Sequence, residues 1–393
     1  MAEIARLLEA GQQSRNRYVR LADRAARLYV PLVHGAAATV FVGGVFLGLD
    51  ARTALTNAIA LLIITCPCAL GLAVPAVQIV ATSRLFKRGL LVKSGDALER
   101  LAEVDTVIFD KTGTLTFGAP ALMNVASVPG PILERAASLA RASKHPLARA
   151  LAASAGPGSV AIDVRETAGE GLEGTIGTRR ARLGRAAWVG AADMLPSPSS
   201  RIWYREDDET CVRFDFDDEL RGDAKQTVTA LRDRGMRVQM LSGDRDMPAS
   251  RVAMQCEIEE WTAAADPKAK VRHLEALRNE GRRTLMVGDG LNDAAALAVA
   301  HVSISPASAA DASQAAADMV LTADKLSPIV EAIDVARAAR RRVFENFAFA
   351  ALYNALAVPL AAFGQVTPLI AAVAMSASSL IVMLNALRIS GKG

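Results

Sequence analysis

The chain is short of cysteine, of aromatic side chains and of a dominant charge, and each shortage removes a class of function. Four cysteines in 393 residues do not form a disulfide framework: Cys66 and Cys68 share an apolar stretch, while Cys211 and Cys256 are single and far apart. Aromatics make up 5% of the chain and do not interleave with the arginines, which are scattered, so a nucleic-acid partner is excluded. A net charge of +4 is mild. No signal peptide opens the chain, because Met1 to Arg27 is charged and rich in Ala, Leu and Arg. There is no internal repeat and no long low-complexity run; Gly156-Pro157-Gly158 and Pro196-Ser197-Pro198-Ser199-Ser200 read as surface loops. What remains, 51% hydrophobic with 22% charged, suits a chain of two or three domains that is partly membrane and partly soluble.

Four apolar segments are candidate spans, since a bilayer needs about 20 apolar residues. Leu28 to Leu49 carries no formal charge and one histidine, His34, read as a packed or interfacial side chain. Thr53 to Leu85 is interrupted by Pro67 and Pro75 and ends among Arg84, Lys87 and Arg88. Phe344 to Phe363 and Thr367 to Leu387 close the chain, with Arg340-Arg341-Arg342 ahead of the first and the uncharged Gly364-Gln365-Val366 between them. The positive-inside rule then places both termini and the large insert, about Val92 to Arg342, in the cytoplasm. Residues 1–27 read as a solvated lead-in helix with apolar positions at Ile4, Leu7, Leu8, Tyr18, Leu21 and Ala25.

Inside the insert, Thr106-Val107-Ile108-Phe109 is apolar and β-branched, as a buried strand would be, and Asp110 follows directly. An aspartate where a parallel strand hands over to a loop stands where open α/β sheets bind ligands, and it can attack a phosphoryl group. Lys111, the hydroxyls of Thr112 and Thr114 and the backbone around Gly113 are placed to hold phosphate oxygens. Thr112 stands where simple aspartate phosphatases carry a second, acid-base aspartate, which favours a longer-lived acyl phosphate. Val238-Gln239-Met240-Leu241 and Thr284-Leu285-Met286-Val287 are further apolar runs that end at Gly/Asp loops, so the alternation reads as a Rossmann-like parallel sheet. Gly288-Asp289-Gly290-Leu291-Asn292-Asp293 puts two carboxylates within one loop, a donor set suited to Mg2+. Residues 122–214 differ, being richer in Ala, Gly and Arg.

Asp110-Lys111-Thr112-Gly113-Thr114-Leu115-Thr116 is similar to the phosphorylation signature of P-type ATPases, and Cys66-Pro67-Cys68 resembles their heavy-metal (Cys-Pro-x) branch. The resemblance runs along nearly the whole chain but matches only the later part of a usual member. It implies a multi-domain membrane protein: transmembrane helices at 28–88 and 343–388, a haloacid-dehalogenase-like α/β phosphorylation domain at 92–121 and 215–342, and an inserted α+β nucleotide-binding domain at 122–214. It implies ATP as substrate and Mg2+ as cofactor. Asp110 becomes the phosphorylated residue, with Ser242, Gly243 and Asp244 as a second phosphate loop and Lys270 as the neutralising cation, while Lys268 is solvated. Asp110, Asp289 and the Thr112 carbonyl become Mg2+ ligands, with Asn292 and Asp293 supporting loop and phosphate. Asp218-Glu219-Leu220-Arg221 is similar to the family's hinge motif; a surface charge cluster is the alternative. Ser143-Lys144-His145-Pro146 resembles the family's Ser-Glu-His-Pro, so His145 would orient the adenine, with Lys144 a departure. Gly169, Gly171 and Gly174 would bring bare backbone near ATP, and Gly184-Arg185 stands where the family often has Gly-Asn.

Two thiols flank a proline near the middle of a hydrophobic span, where a broken backbone is tolerated if it lines a cavity, and thiolates select soft ions such as Cu(I). A buried apolar cysteine pair is the alternative. No Asp or Glu occurs between Phe347 and Leu387, which removes the acidic partner of zinc- and cadmium-type pumps. Tyr353, Asn354, Met375 and Ser378-Ser379 are similar to the copper(I) branch instead, so the expected cargo is Cu(I), with Ag(I) equivalent in chemistry; ordinary helix packing is the competing explanation. Arg15-Asn16-Arg17-Tyr18-Val19-Arg20 through Pro31 also looks like copper pumps that serve oxidase assembly. The family's actuator loop, Thr-Gly-Glu, is absent; Ala168-Gly169-Glu170 is a look-alike in the wrong domain, and no amino-terminal Cys-x-x-Cys module is present. The chain is therefore expected to be the carboxyl-terminal part of a pump, with a copper chaperone and a separate actuator-containing chain as candidate partners. By itself it is expected to bind ATP and phosphorylate Asp110 but to turn over slowly. A membrane-tethered aspartate phosphatase and a non-cycling pseudo-pump are the other classes.

Overall fold

The computed structural model describes residues 17–66, 68–167, 169–192, 200–207, 209–244, 246–289, 293–309 and 311–389, and no side chains at 17–30, 68–70 and 312–313. Among the described residues, thirteen strands form two sheets: Leu90–Val92 (β1), Thr106–Asp110 (β2), Thr116–Leu122 (β3), Ile162–Thr167 (β4), Gly171–Ile176 (β5), Arg179–Gly184 (β6), Ser200–Glu206 (β7), Val212–Leu220 (β8), Arg237–Leu241 (β9), Glu260–Thr262 (β10), Thr284–Val287 (β11), Val302–Pro306 (β12) and Met319–Leu321 (β13).

The first sheet has the order β1-β13-β12-β11-β2-β9-β10 and is parallel except for β1, which pairs antiparallel with β13 at one edge. Its central strands are buried along their length because helices cover both faces, and side chains alternate between the two layers. Val107 and Phe109 join a large cluster with Leu231, Val252, Ile329 and Ile333 on one side. Ile108 joins Leu241, Leu274, Leu277 and Leu297 on the other. β2 lies between β11 and β9, with Phe109 opposite Val287 and Asp110 opposite Leu241. Asp110, Ser242 and Asp289 therefore leave three adjacent strands at one carboxyl edge.

The second sheet, β3-β8-β7-β6-β5-β4, is antiparallel, and the helices Gly130–Ala140 and Pro146–Ala155 pack on it. It runs past both boundaries expected at 121/122 and 214/215. β3 and β8 pair from Thr116 and Leu220 onward, so those boundaries cut through two strands. The reason is visible in β8: Phe214 and Phe216 alternate into the core, which continues the strand into the acidic stretch.

The membrane part is a bundle of the helices Arg17–Phe46, Ala51–Ile64, Cys68–Lys87, Ser327–Ala362 and Pro368–Leu387. No break separates the expected lead-in from the first span, since Arg17–Phe46 is continuous across residue 27. The segment expected as Thr53 to Leu85 is two helices. Pro67 lacks an N–H and disfavours helical geometry at Cys66, whose N–H bonds back only three residues, to Ile63. Ser327–Ala362, about 54 Å long at 1.5 Å per residue, runs unbroken from the first sheet's helical layer into the apolar stretch. It and Pro368–Leu387 are long and apolar enough to cross a membrane, while Pro31–Phe46 and Ala51–Ile64 are shorter apolar segments. Leu352, Leu356, Leu369 and Val373 stand exposed on the outside, a surface that suits lipid.

Candidate active site

After Asp110 the chain makes one wide turn, Lys111–Leu115, in which Thr112 is extended and Gly113 takes a φ of 68°. That glycine has no room for a side chain. A Cβ on Gly113 would lie 1.4 Å from Asp289 Oδ2, so only glycine lets that carboxylate lie against the loop.

The hinge-like tetrapeptide holds this turn from behind. The Thr116 hydroxyl accepts from the Gly113 N–H (3.2 Å) and bonds the Asp218 carboxylate, which also accepts from the Gly118 N–H at 2.8 Å. Arg221 donates its backbone N–H to the Leu115 carbonyl at 2.9 Å. Its guanidinium donates to the carbonyls of Gly113 (3.3 Å) and Asp324 (2.6 Å) and lies over the Phe117 ring. Arg221 is 4% exposed, so the tetrapeptide is a brace for the loop and not a solvated charge cluster.

Lys270 arrives from below the edge. Asp266 caps the helix Pro267–Asn279 by accepting from the Ala269 N–H, Pro267 fills the first turn, and Lys270 follows within that turn. Its Nζ lies 2.5 Å from Asp110 Oδ1 and 2.6 Å from Asp293 Oδ1, and the three residues are nearly sealed from solvent. Lys268 is exposed. Lys111 turns the other way and pairs with Asp244. Ser242 is buried, and its Oγ accepts from the Asp244 N–H at 3.1 Å. The Thr114 hydroxyl is buried without a partner among the described residues. Gly243 is exposed at the loop tip, and Asn292 lies outside the described residues.

Carboxylate oxygens of Asp110, Asp289 and Asp293 lie within 4.8 Å of one another. Three carboxylates against one ammonium leave two negative charges uncompensated. Burial first and Asp293 next push Asp110 up to about 7, against the opposing pull of Lys270. Burial and Asp293 push Asp289 up to about 6. Burial opposes the charge on Lys270, but Asp110 and Asp293 outweigh it and hold its pKa above the usual lysine value. Such a donor set fits a hard divalent cation, which takes carboxylates and adds phosphate oxygens and water.

A cleft of about 370 Å3 opens beside the loop, lined by Lys111, Thr112, Asp218, Asp244 and Ser200. A second, of about 360 Å3, lies in the inserted domain and is lined by His145, Gly169, Gly171, Gly184, Arg185 and again Ser200, so the two clefts adjoin. His145 caps the helix Pro146–Ala155, its Nδ1 accepting from the Leu147 N–H at 3.3 Å. Pro146 is exposed at the first position of that helix and is not among the cleft's lining residues. Gly174 corrects the expectation more plainly. Three residues from Gly171 on β5, it sits on the opposite face, against Leu139 and Val164. Gly171 and Gly184 pair across β5 and β6, and a Cβ on either would lie 2.7 Å from the other's Cα and 2.4 Å from a neighbouring carbonyl, that of Leu183 or Glu170.

In the membrane part, Cys66 is half-buried and disulfide-bonded, so a metal would need its thiolate freed first. The Cys68 side chain lies outside the described residues. Tyr353 packs on the cluster that holds Leu61 and Ile64, beside the proline break. Its hydroxyl and Asn354 Oδ1 are buried without hydrogen-bond partners among the described residues. Met375 and Ser379 lie half-buried on Pro368–Leu387, where the Ser378 and Ser379 hydroxyls bond the Met375 carbonyl at 2.8 and 3.2 Å. Cys68–Lys87 packs against both later helices.

Sequence reasoning did not single out Ser200 or the contact between Gly113 and Asp289. The spacing of Gly113 and Gly118 was the only available signal for the latter, and it does not say what approaches.

A family model described as haloacid dehalogenase-like hydrolase matches residues 104–301. The nitrogen fixation protein FixI of Bradyrhizobium diazoefficiens is 47% identical over 99% of this chain and 54% of its own length. A copper-exporting P-type ATPase of Mycobacterium tuberculosis is 37% identical over 99% of this chain and 53% of its own. The chain thus spans about half the length of the curated relatives it matches. Among solved structures, a zinc-transporting PIB-type ATPase in an E2.Pi state is 28% identical with a TM-score of 0.78, covering 98% of this chain and 66% of that one. The catalytic domain of the CPx-ATPase CopB-B is 29% identical with a TM-score of 0.52, covering 64% of this chain and 98% of that one.

Proposed function

The chain belongs to the haloacid dehalogenase-like hydrolases, in the branch of the heavy-metal P-type ATPases, and from that premise we propose that it is the catalytic and ion-path part of an ATP-driven Cu(I) exporter. The observation that carries the reading is Asp110 at the sheet edge, bonded to Lys270, with its neighbours Lys111 and Thr112 lining a cleft that adjoins the one lined by His145. In the proposed step an Asp110 oxygen attacks the γ-phosphorus of ATP. The new P–O bond forms as the bond to the β-phosphate oxygen breaks, and ADP leaves. Lys270, the Ser242 hydroxyl and the backbone of Gly113 and Gly243 neutralise and orient the transferring group, which is most of what phosphoryl transfer asks of a protein. Asp110, Asp289 and the Thr112 carbonyl would hold Mg2+, which supplies further charge neutralisation. Asp293 holds Lys270 in place. With Thr112 where a hydrolytic acid would stand, the acyl phosphate persists and stores free energy.

Cargo passes, in this reading, between Cys66, Cys68, Tyr353, Asn354, Met375 and Ser379. The absence of carboxylates between Phe347 and Leu387 supports a monovalent soft ion, Cu(I) or Ag(I). The soluble part faces the cytoplasm, with a copper chaperone and an actuator-containing chain as partners. The test is acid-stable, hydroxylamine-sensitive labelling from γ-labelled ATP: wild type labels and Asp110→Asn does not. Under reducing conditions Cu(I) should change the labelling, and Cys66→Ser should remove that response. Labelling that persists in Asp110→Asn would overturn the assignment.

A further inference from the structure

A hollow of about 840 Å3 opens where the soluble part meets the membrane helices, between the helix Ala224–Arg232 and the lower part of Ser327–Ala362. Lysine and arginine side chains outnumber carboxylates in its lining by seven to three. The three carboxylates are already engaged. Asp223 accepts from the N–H groups of Leu326 and Ser327, Glu331 pairs with Arg84 and Arg88, and Asp334 pairs with Arg234. Lys325, Arg337 and Arg388 have no carboxylate partner among the described residues, and Arg341 and Arg342 share Glu345 alone. Among the described residues no carboxylate balances this charge.

The level of the hollow is set by the helices. Asn385 donates to Asn346 Oδ1 at 2.9 Å and to Glu345, tying the two long helices together just where their apolar stretches begin. Arg341, Arg342 and Arg388 therefore stand at the edge of the bilayer. A second groove, of about 530 Å3, shares Arg337 and Arg341 with the hollow and descends past Arg340 to Phe344 and Ala348. Arg340 lies over the Phe344 ring, which is 51% exposed. A cationic bowl that narrows onto an exposed aromatic at lipid depth matches an amphiphile, with an anionic head above and an acyl chain below.

We propose that this hollow and its groove bind an anionic phospholipid, the phosphodiester held by Arg341 and Arg388 and an acyl chain lying along Phe344. Basic pockets between membrane helices recognise anionic headgroups, and each boundary cation contributes roughly fivefold to such binding. A free phosphate would meet the same cations but would gain nothing from the groove.

The test reconstitutes the full chain with spin-labelled phosphatidylglycerol or phosphatidylcholine and reads the motionally restricted fraction of each. Wild type should prefer phosphatidylglycerol several-fold. Arg341→Gln with Arg388→Gln should bring the ratio close to one, Arg388→Lys should keep it, and Phe344→Ala should lower it without touching the charge. Lys87→Gln, which removes a cation at the same boundary but outside the hollow, should leave it nearly unchanged. An equal loss in Lys87→Gln would mean general boundary charge and overturn the site. Full displacement by excess inorganic phosphate would make it a soluble-anion site and overturn the lipid assignment.

Discussion

Glycine does opposite work in the two soluble lobes, and the contrast separates the proposed phosphorylation site from the proposed nucleotide cleft. In the parallel lobe Gly113 vacates space for another residue's carboxylate, which then sits among buried, mutually repelling charges. In the antiparallel lobe Gly171 and Gly184 vacate space for each other, and the cleft beside them stays open, with an exposed His145 at its rim. Charge follows the same division. The parallel lobe holds two carboxylates with raised pKa values around one lysine. The antiparallel cleft has no such cluster among the described residues.

The sharpest way to break the contrast is Gly113→Ala. The new methyl collides with Asp289, so labelling of Asp110 at saturating ATP should fall at least about a hundredfold, the scale of losing an electrostatic contact in a transition state. Near-normal labelling would mean the loop is free to shift and that the glycine is incidental. Gly171→Ala should act differently: it should cost about 1–3 kcal/mol of stability through overpacking, measured by denaturant unfolding, and weaken ATP binding, yet leave the labelling rate at saturating ATP intact. A lowered saturating rate would couple the lobes more tightly than two adjoining clefts imply.

His145→Ala should be smaller still, removing a helix cap at a cost of about 1 kcal/mol and raising the ATP concentration needed for half-maximal labelling by several-fold. His145→Asn restores a cap without the imidazole. If it recovers both quantities, the ring is structural and does not meet the base.

The smallest expected effect concerns pH. Burial and Arg237 hold His273 below the ordinary 6.5, and burial and Arg283 do the same to His301. The unfolded chain therefore takes up protons first as pH falls through 6.5, so the fold loses stability on that side and regains it above. Asp110 and Asp289, raised to about 7 and about 6, take up protons in the folded chain over the same window and oppose this loss. The readout is therefore a difference: with both rings replaced by Gln, melting temperature should rise relative to wild type as pH falls from about 7 to about 5.5.

Much of the parallel lobe was legible because three of its functional residues follow apolar strand runs: Asp110 after Phe109, Ser242 after Leu241, Asp289 two residues after Val287; Lys270 instead stands in the first turn of a helix. The antiparallel lobe was harder to read. β8 alternates with charged residues and β3 holds a glycine and a proline, so neither reads as an apolar strand run and both were cut short of their observed ends. Gly174 was grouped with Gly171 although an odd separation on a strand places two residues on opposite faces. The membrane break at Cys66 followed from proline chemistry, whereas the fusion of span and stalk in Ser327–Ala362 did not, because nothing in that stretch marks a helix end.

By itself the sequence determined which groups exist to do chemistry and that Asp110, Ser242 and Asp289 would sit at strand ends, because local hydrophobic pattern and turn residues decide that much over a few residues. Only the tertiary structure decided that β9 and β11 flank β2, that Lys270 reaches Asp110 and Asp293 together, and that Arg221 braces the loop from more than a hundred residues away. Those are matters of strand order and long-range packing. Burial then changes the chemistry of the groups it gathers, since carboxylates crowded together out of water no longer titrate as they would alone.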